Sequence, residues 1–208
     1  MISIILTGTP GTGKSMISDL LEKKFKNCKV LRLNDLINNE KIWTKKENNS
    51  KVVNLTLLKK SVINKIRILK KSNFSLLIIE GHLACELKLP VDAVIVLRTN
   101  PKIILKRLKR RDYPKEKISE NIQSEILDYC TQRSESNFND KVYELDSSGS
   151  LNSTFSKVVK LISLIENLSK NKNSSKSLSY KLKLNKFKPK ISWSKYFADK
   201  QLFQYLFD

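Results

Sequence analysis

Eight residues near the start of the chain, Gly8-Thr9-Pro10-Gly11-Thr12-Gly13-Lys14-Ser15, have the spacing G-x-x-x-x-G-K-[ST]. Each position fits phosphate chemistry. Glycine admits backbone conformations closed to other residues and lets N–H groups approach phosphate oxygens. A helix starting at the loop aims free N–H donors and the positive end of its dipole at the same anion. Lys14 supplies a cation between the β- and γ-phosphates, and the Ser15 hydroxyl is a ligand for Mg²⁺. The chain has five glycines, and three of them are Gly8, Gly11 and Gly13. With Thr12 completing the loop, residues 8–15 read as a site for ATP carried with Mg²⁺.

Three further residues have types and positions suited to phosphoryl transfer. Glu80 ends the apolar run Leu76-Leu77-Ile78-Ile79, where a carboxylate can hold magnesium's water shell or orient the attacking group; with Ser15 it makes the expected metal site. His82, two residues on, is the only histidine. Arg111 closes the basic run Lys106-Arg107-Leu108-Lys109-Arg110-Arg111. An arginine there can fold over the phosphates and stabilise charge developing in transfer. Lys14, Arg111, Glu80 and His82 are thus the candidate catalytic groups.

Positioning these residues requires alternating strands and helices. Residues 2–6, 28–33, 76–80, 93–97 and 141–145 read as five short strands. Helical periodicity marks residues 15–25, 35–39, 55–71, 101–109, 116–134 and 151–168, with Pro101 at a first helical position. Residues 44–51 are polar and carry no strong pattern. Strands apolar on both faces and separated by helices predict an α/β fold: a five-stranded parallel sheet with helices on both sides.

After residue 168 the composition changes. Residues 169–179 are rich in Ser, Asn and Lys and read as a flexible linker. Residues 180–208 form a basic, aromatic-rich extension holding Tyr180, Phe187, Trp193, Tyr196, Phe197, Phe203, Tyr205 and Phe207. Trp193, Phe197, Phe203 and Phe207 fall near one face of a helix drawn through them. Such a tail is expected to fold back on the core, pair across a dimer or bind a partner.

Forty Lys+Arg against twenty Asp+Glu give a formal charge of +20, which attracts polyanions such as RNA. Most of the excess is lysine, so a merely solvated surface competes with that reading. No apolar run approaches the roughly 20 residues that cross a bilayer. Cys28, Cys85 and Cys130 are scattered, without C-x-x-C spacing, and suit buried thiols in a reducing, cytoplasmic setting.

The segments GTPGTGKS, IIEGHL, PVDAVIVLRTNP, LKRRDY and ENIQSEILD together closely resemble the adenylate kinase isoenzyme 6 family over about residues 1–168. That family comprises archaeal adenylate kinases and eukaryotic nucleotidases that assist small-subunit ribosome assembly. The resemblance implies a nucleoside-monophosphate-kinase fold, with a monophosphate-binding region at about 31–54 and a lid at about 110–120. It places Gly11, Gly13, Lys14, Ser15 and Met16 in the ATP loop, Arg111 as the lid arginine, and Glu80 and His82 in the family's acid-x-His element, where eukaryotic members carry Asp. One departure concerns the acceptor. Some members have an arginine just after Asp-Leu, whereas Asp35-Leu36 here precedes Ile37-Asn38-Asn39-Glu40-Lys41, leaving Lys41 or Arg32 to replace it.

Two functions follow from the resemblance and the charge. One is a broad-specificity nucleoside monophosphate kinase, ATP + AMP ⇌ 2 ADP, that also hydrolyses ATP and contributes to small-subunit ribosome and rRNA maturation. The other is an ATPase assembly factor whose partners are the small-subunit ribosomal protein uS11 and rRNA. A different small-molecule kinase would need a second arginine cluster for its acceptor, which the sequence lacks.

Overall fold

The computed structural model describes residues 1–47, 50–171 and 173–206. Five strands, β1 (Ile2–Thr7), β2 (Cys28–Arg32), β5 (Leu76–Glu80), β6 (Ala93–Arg98) and β7 (Val142–Asp146), form one parallel sheet in the order β2-β5-β1-β6-β7. Alternation along β1 explains both faces. Ile4 and Leu6 point to the side covered by α1 (Lys14–Lys24), α7 (Leu151–Lys170) and α8 (Lys176–Asn185). Ile5 points to the side covered by α2 (Leu33–Asn39), α3 (Leu55–Lys70) and α6 (Tyr129–Phe138). Chain connections leave β1 toward β2 and β5 on one side and β6 and β7 on the other. The carboxyl end of β1 is therefore the crevice where open α/β sheets bind ligands.

A third apolar cluster joins α4 (Pro101–Lys109) and α5 (Lys115–Ile126) to the end of the chain. Leu202 and Tyr205 are buried there with Ile104, Leu105, Leu108, Ile118 and Ile122. Among the described residues no helix is long and apolar enough to cross a membrane.

Four local expectations change. The single helix expected over residues 116–134 is two helices, α5 and α6, broken at Asp128 (φ 54°). Arg98 explains the break: its Nη2 donates to the Glu125 carbonyl at 2.9 Å and to the Asp128 carboxylate, taking an oxygen that a continuous helix would bond internally. The patternless residues 44–51 carry an antiparallel strand pair instead, β3 (Trp43–Glu47) with β4 (Ser50–Val53), while residues 48 and 49 lie outside the described ones. The boundary expected after residue 168 falls inside α7, and the segment expected as a flexible linker holds the end of α7 and the start of α8, with residue 172 outside the described residues. The aromatic tail is not one helix. It forms the short 3₁₀ turns Ser194–Ala198 and Phe203–Tyr205, and Phe207 lies outside the described residues.

Candidate active site

The loop 8–15 leaves β1 and turns into α1 at Gly13, so its N–H groups face the same space as the first turn of that helix. Gly8 is obligatory on two counts. Its φ is +138°, and an added Cβ would lie 2.3 Å from the Leu97 carbonyl oxygen. The loop is cross-tied by Thr12, whose Oγ1 and N both donate to the Thr9 carbonyl (2.9 and 3.2 Å). Lys14 Nζ donates to the Gly8 and Thr9 carbonyls at 2.7 and 3.1 Å. Burial is the main influence on this ammonium and lowers its pKa; Glu80 and Glu125 act in the opposite direction.

Parallel pairing sets Glu80 beside Leu6, one strand from the loop. The Ser15 hydroxyl donates to Glu80 Oε1 at 3.4 Å. Burial raises the Glu80 pKa, partly offset by Lys14 and the Ser15 hydrogen bond. A hydroxyl and a carboxylate side by side fit Mg²⁺, which keeps most of its ligands as waters and phosphate oxygens and takes one or two from protein. Gly81 is extended (φ 161°), and space rather than conformation demands glycine: a Cβ would meet the Leu33 Cβ at 2.9 Å. The His82 imidazole is open to the cleft yet crowded by surrounding chain. That crowding, and secondly the Lys14 charge, push its pKa down to about 4, leaving the ring neutral at pH 7.

Gly11, Gly13, Lys14, Ser15, Met16, Glu80, His82 and Arg111 line one hollow of about 180 Å³, joined by Asn34 and the lid-side Tyr113. Of the other residues expected here, Thr12 faces the adjoining hollow, and Gly8 sits behind the loop as the acceptor for Lys14. Larger hollows flank this one. The first, about 440 Å³, shares Gly11, Gly13, Met16 and Arg111 and extends to Ser147, Gly149, Leu151 and Thr154. The second, about 490 Å³, shares Asn34 and His82 and runs under β4, between Ile37, Asn38, Lys51, Val53, Leu55 and Leu83. The three form a continuous cleft with the Gly-rich loop at its middle.

Several cleft residues escaped sequence reasoning. Arg107 Nη1 donates to the Gly11 carbonyl at 2.9 Å and Nη2 to the Ser147 carbonyl at 3.4 Å. Burial and the like charge of Arg111 lower its pKa. Its position one helical turn before Arg111 was a legible signal. Lys51 had none, because the polar stretch gave no strand register. Its Nζ donates to Asn38 Oδ1 at 2.5 Å and lies 5.0 Å from the centre of the Trp43 ring. The substitutes considered for the missing acceptor arginine are placed otherwise. Arg32 is paired with Asp19 at 2.5 Å and Glu22 at 3.3 Å, and neither Arg32 nor Lys41 lines the three hollows.

Comparison with known proteins agrees with this geometry. Residues 4–128 match a family model described as an AAA domain. A protein of Methanosarcina acetivorans named "Putative adenylate kinase" is 37% identical over 147 residues, covering 69% of this chain and 76% of the relative. One of the same name from Methanocaldococcus jannaschii is 39% identical over 145 residues, covering 69% and 75%. Another from Thermococcus kodakarensis is 37% identical over 146 residues, covering 70% and 76%. With its P-loop at the switch point of a five-stranded parallel sheet, the chain belongs to the adenylate kinase isoenzyme 6 family of nucleotide-binding P-loop proteins.

Proposed function

We propose that the protein is a magnesium-dependent nucleoside monophosphate kinase that converts ATP and AMP to two ADP. The observation that carries this reading is the three-part cleft. A phosphate-binding loop with a large hollow on each side suits an enzyme that holds a donor and an acceptor nucleotide with their phosphates facing. Relatives sharing over a third of their aligned residues are named adenylate kinases, which supports AMP as acceptor.

The donor base and ribose belong to the hollow between α4 and the start of α7, and its phosphates to residues 8–15. Lys14 and the loop N–H groups bind the β- and γ-phosphates; Ser15 with Glu80 would hold Mg²⁺, whose charge would offset that of the phosphates. An AMP phosphate oxygen attacks the γ-phosphorus; one P–O bond forms as the bond to the β–γ bridging oxygen breaks, and ADP leaves. Arg111, with Arg107 and Arg110 on the same wall, stabilises charge on the transferred group. His82, neutral at pH 7, orients the acceptor by hydrogen bonding. Lys51, Asn34 and Asn38 meet the monophosphate in place of an arginine. The lining of the three hollows comes from residues 10–154, all before the end of α7. The test is ADP formation with ATP held constant and AMP titrated: the reading requires turnover that saturates with AMP and collapses in Lys14→Ala, and AMP-independent turnover would sink it.

A second reading is favoured by the formal charge of +20: ATP hydrolysis that drives release during small-subunit ribosome assembly, with uS11 and rRNA as partners. Salt-dependent RNA binding, with a steep fall in affinity between low and physiological ionic strength, tests it. Absence of both RNA binding and retention on uS11 would remove it.

A further inference from the structure

The chain beyond α8 lies outside residues 4–128 of the family model, yet it ends on the P-loop's own support. β7 is one edge of the sheet, and its Glu144 N–H donates to the Phe187 carbonyl at 2.7 Å. Glu144 Oε2 then accepts the N–H groups of Lys190 and Ile191 at 2.8 and 2.9 Å. Trp193 Nε1 donates to Glu125 Oε1 at 3.1 Å, and Tyr196 meets Asn100, the cap of α4, at 2.5 Å. Further on, the Tyr205 carbonyl accepts from Ser119 and Gln123 on α5.

Glu125 is the junction. Its Oε1 also accepts from Arg98 Nε and Thr99 N, both at 2.9 Å, while Oε2 accepts from the Thr9 hydroxyl at 2.5 Å. The Thr9 carbonyl in turn accepts from Lys14 and Thr12. One carboxylate therefore joins the tail's indole to the P-loop. Charge balance shows why the tail belongs there. Glu125 and Glu144 are 1% and 2% exposed on their side chains, and Arg98 alone, 1% exposed, faces both. Arg98 also serves Asp128, so the buried oxygens of Glu125 and Glu144 need further donors, and Lys190, Ile191 and Trp193 supply three of them. Without these donors the carboxylates must reorient, and Thr9 is bound to one of them.

We propose that residues 187–206 are a strap that positions the phosphate-binding loop, with Trp193 acting through Glu125 on Thr9 as a positioning residue. The proposal rests on reading residues 8–15 as the donor loop, and its test separates the two. In the full-length protein, amide hydrogen exchange of residues 9–14 is measured without nucleotide, and ATP affinity by calorimetry, both well below the melting temperature. Three variants are compared with wild type: Trp193→Phe, which keeps an apolar ring and loses the N–H; Thr9→Val, which breaks the link from its other end; and Thr9→Ser, which keeps a hydroxyl. Phe197→Ala, 40% exposed in the same tail, is the control. Trp193→Phe and Thr9→Val should both speed exchange in residues 9–14 and weaken ATP binding about fivefold to tenfold, the scale of one hydrogen bond of ordinary strength. Thr9→Ser, which keeps the hydroxyl, should fall between Thr9→Val and wild type, and Phe197→Ala should match wild type. If Trp193→Phe lowers the melting temperature but leaves exchange of residues 9–14 unchanged, the strap only stabilises the fold and the proposal fails. Faster exchange in a protein whose wild type binds no ATP would instead overturn the donor-loop reading.

Discussion

Lys14 and Gly8 hold each other across the P-loop: the ammonium donates to the carbonyl of the glycine six residues earlier at 2.7 Å. The contact is possible because Gly8 takes a φ of +138° with no Cβ against Leu97. A cation is thus stored inside the loop, 8% exposed, with its pKa lowered chiefly by burial. Phosphate oxygens would supply the anionic partner that two carbonyls replace only in part, so the gain on nucleotide binding is large and local.

Lys14→Ala should reduce AMP-dependent ADP formation by about a hundredfold or more, the scale of losing a preorganised charge at the reacting phosphate. Folding should be nearly unaffected, since the variant also removes a desolvated ammonium. Initial rates beside a thermal melt check both halves. A large loss of melting temperature would mean that the lysine holds the loop together.

Glu80→Gln separates stability from activity through pH. Burial raises the folded-state pKa of this carboxyl above 4.5, so between the unfolded and folded values the native state binds more protons. Wild-type stability is therefore fully present below the unfolded value and declines as pH rises through the folded one. Glutamine lacks that decline. The melting temperature of Glu80→Gln relative to wild type should climb from about pH 4 toward pH 7, while magnesium-dependent turnover falls. A signed difference, variant minus wild type, that falls as pH rises would contradict the assigned direction.

The parts legible in the sequence are those with local physical causes. The five strands showed themselves as short apolar runs because both sheet faces are covered, and Glu80 next to the P-loop followed from its place at a strand end. Residues 116–134 misled because the break at Asp128 is set by Arg98, 30 positions away, and no local signal competes with an amphipathic helix pattern. Lys51 was hidden for a related reason. Only the pairing of β3 with β4 turns it toward the cleft, and residues 44–51 are too polar to show a strand period. The tail's aromatics announced burial but not where, since their main anchors are backbone groups meeting Glu144.

Lys51→Ala should raise the KM for AMP about tenfold, the cost of one charge-assisted contact to phosphate, and leave the KM for ATP within about twofold. Steady-state kinetics with each substrate varied in turn checks the split. Equal changes in both constants would place Lys51 outside the acceptor hollow.

Arg98→Lys is conservative only in charge. The guanidinium spans Glu125 Oε1, the Glu125 carbonyl, Glu144 Oε1, Thr131 Oγ1, Asp128 and the Ile191 carbonyl, joining β6, α5, α6, β7 and the tail. A lysine offers three donors from one atom and cannot meet this spread of acceptors. Buried carboxylates that lose their partner are costly, so Arg98→Met should lower unfolding free energy by about 3–5 kcal/mol. Arg98→Lys should recover less than half of that loss, because its charge remains while most of the geometry does not. Urea denaturation of both variants measures the difference. The slope with urea should stay near wild type in Arg98→Lys, where the tail remains docked, and fall in Arg98→Met if the tail leaves β7 before the main transition. Recovery of nearly full stability by lysine would show that charge alone holds this junction, and that the fork of the guanidinium is incidental.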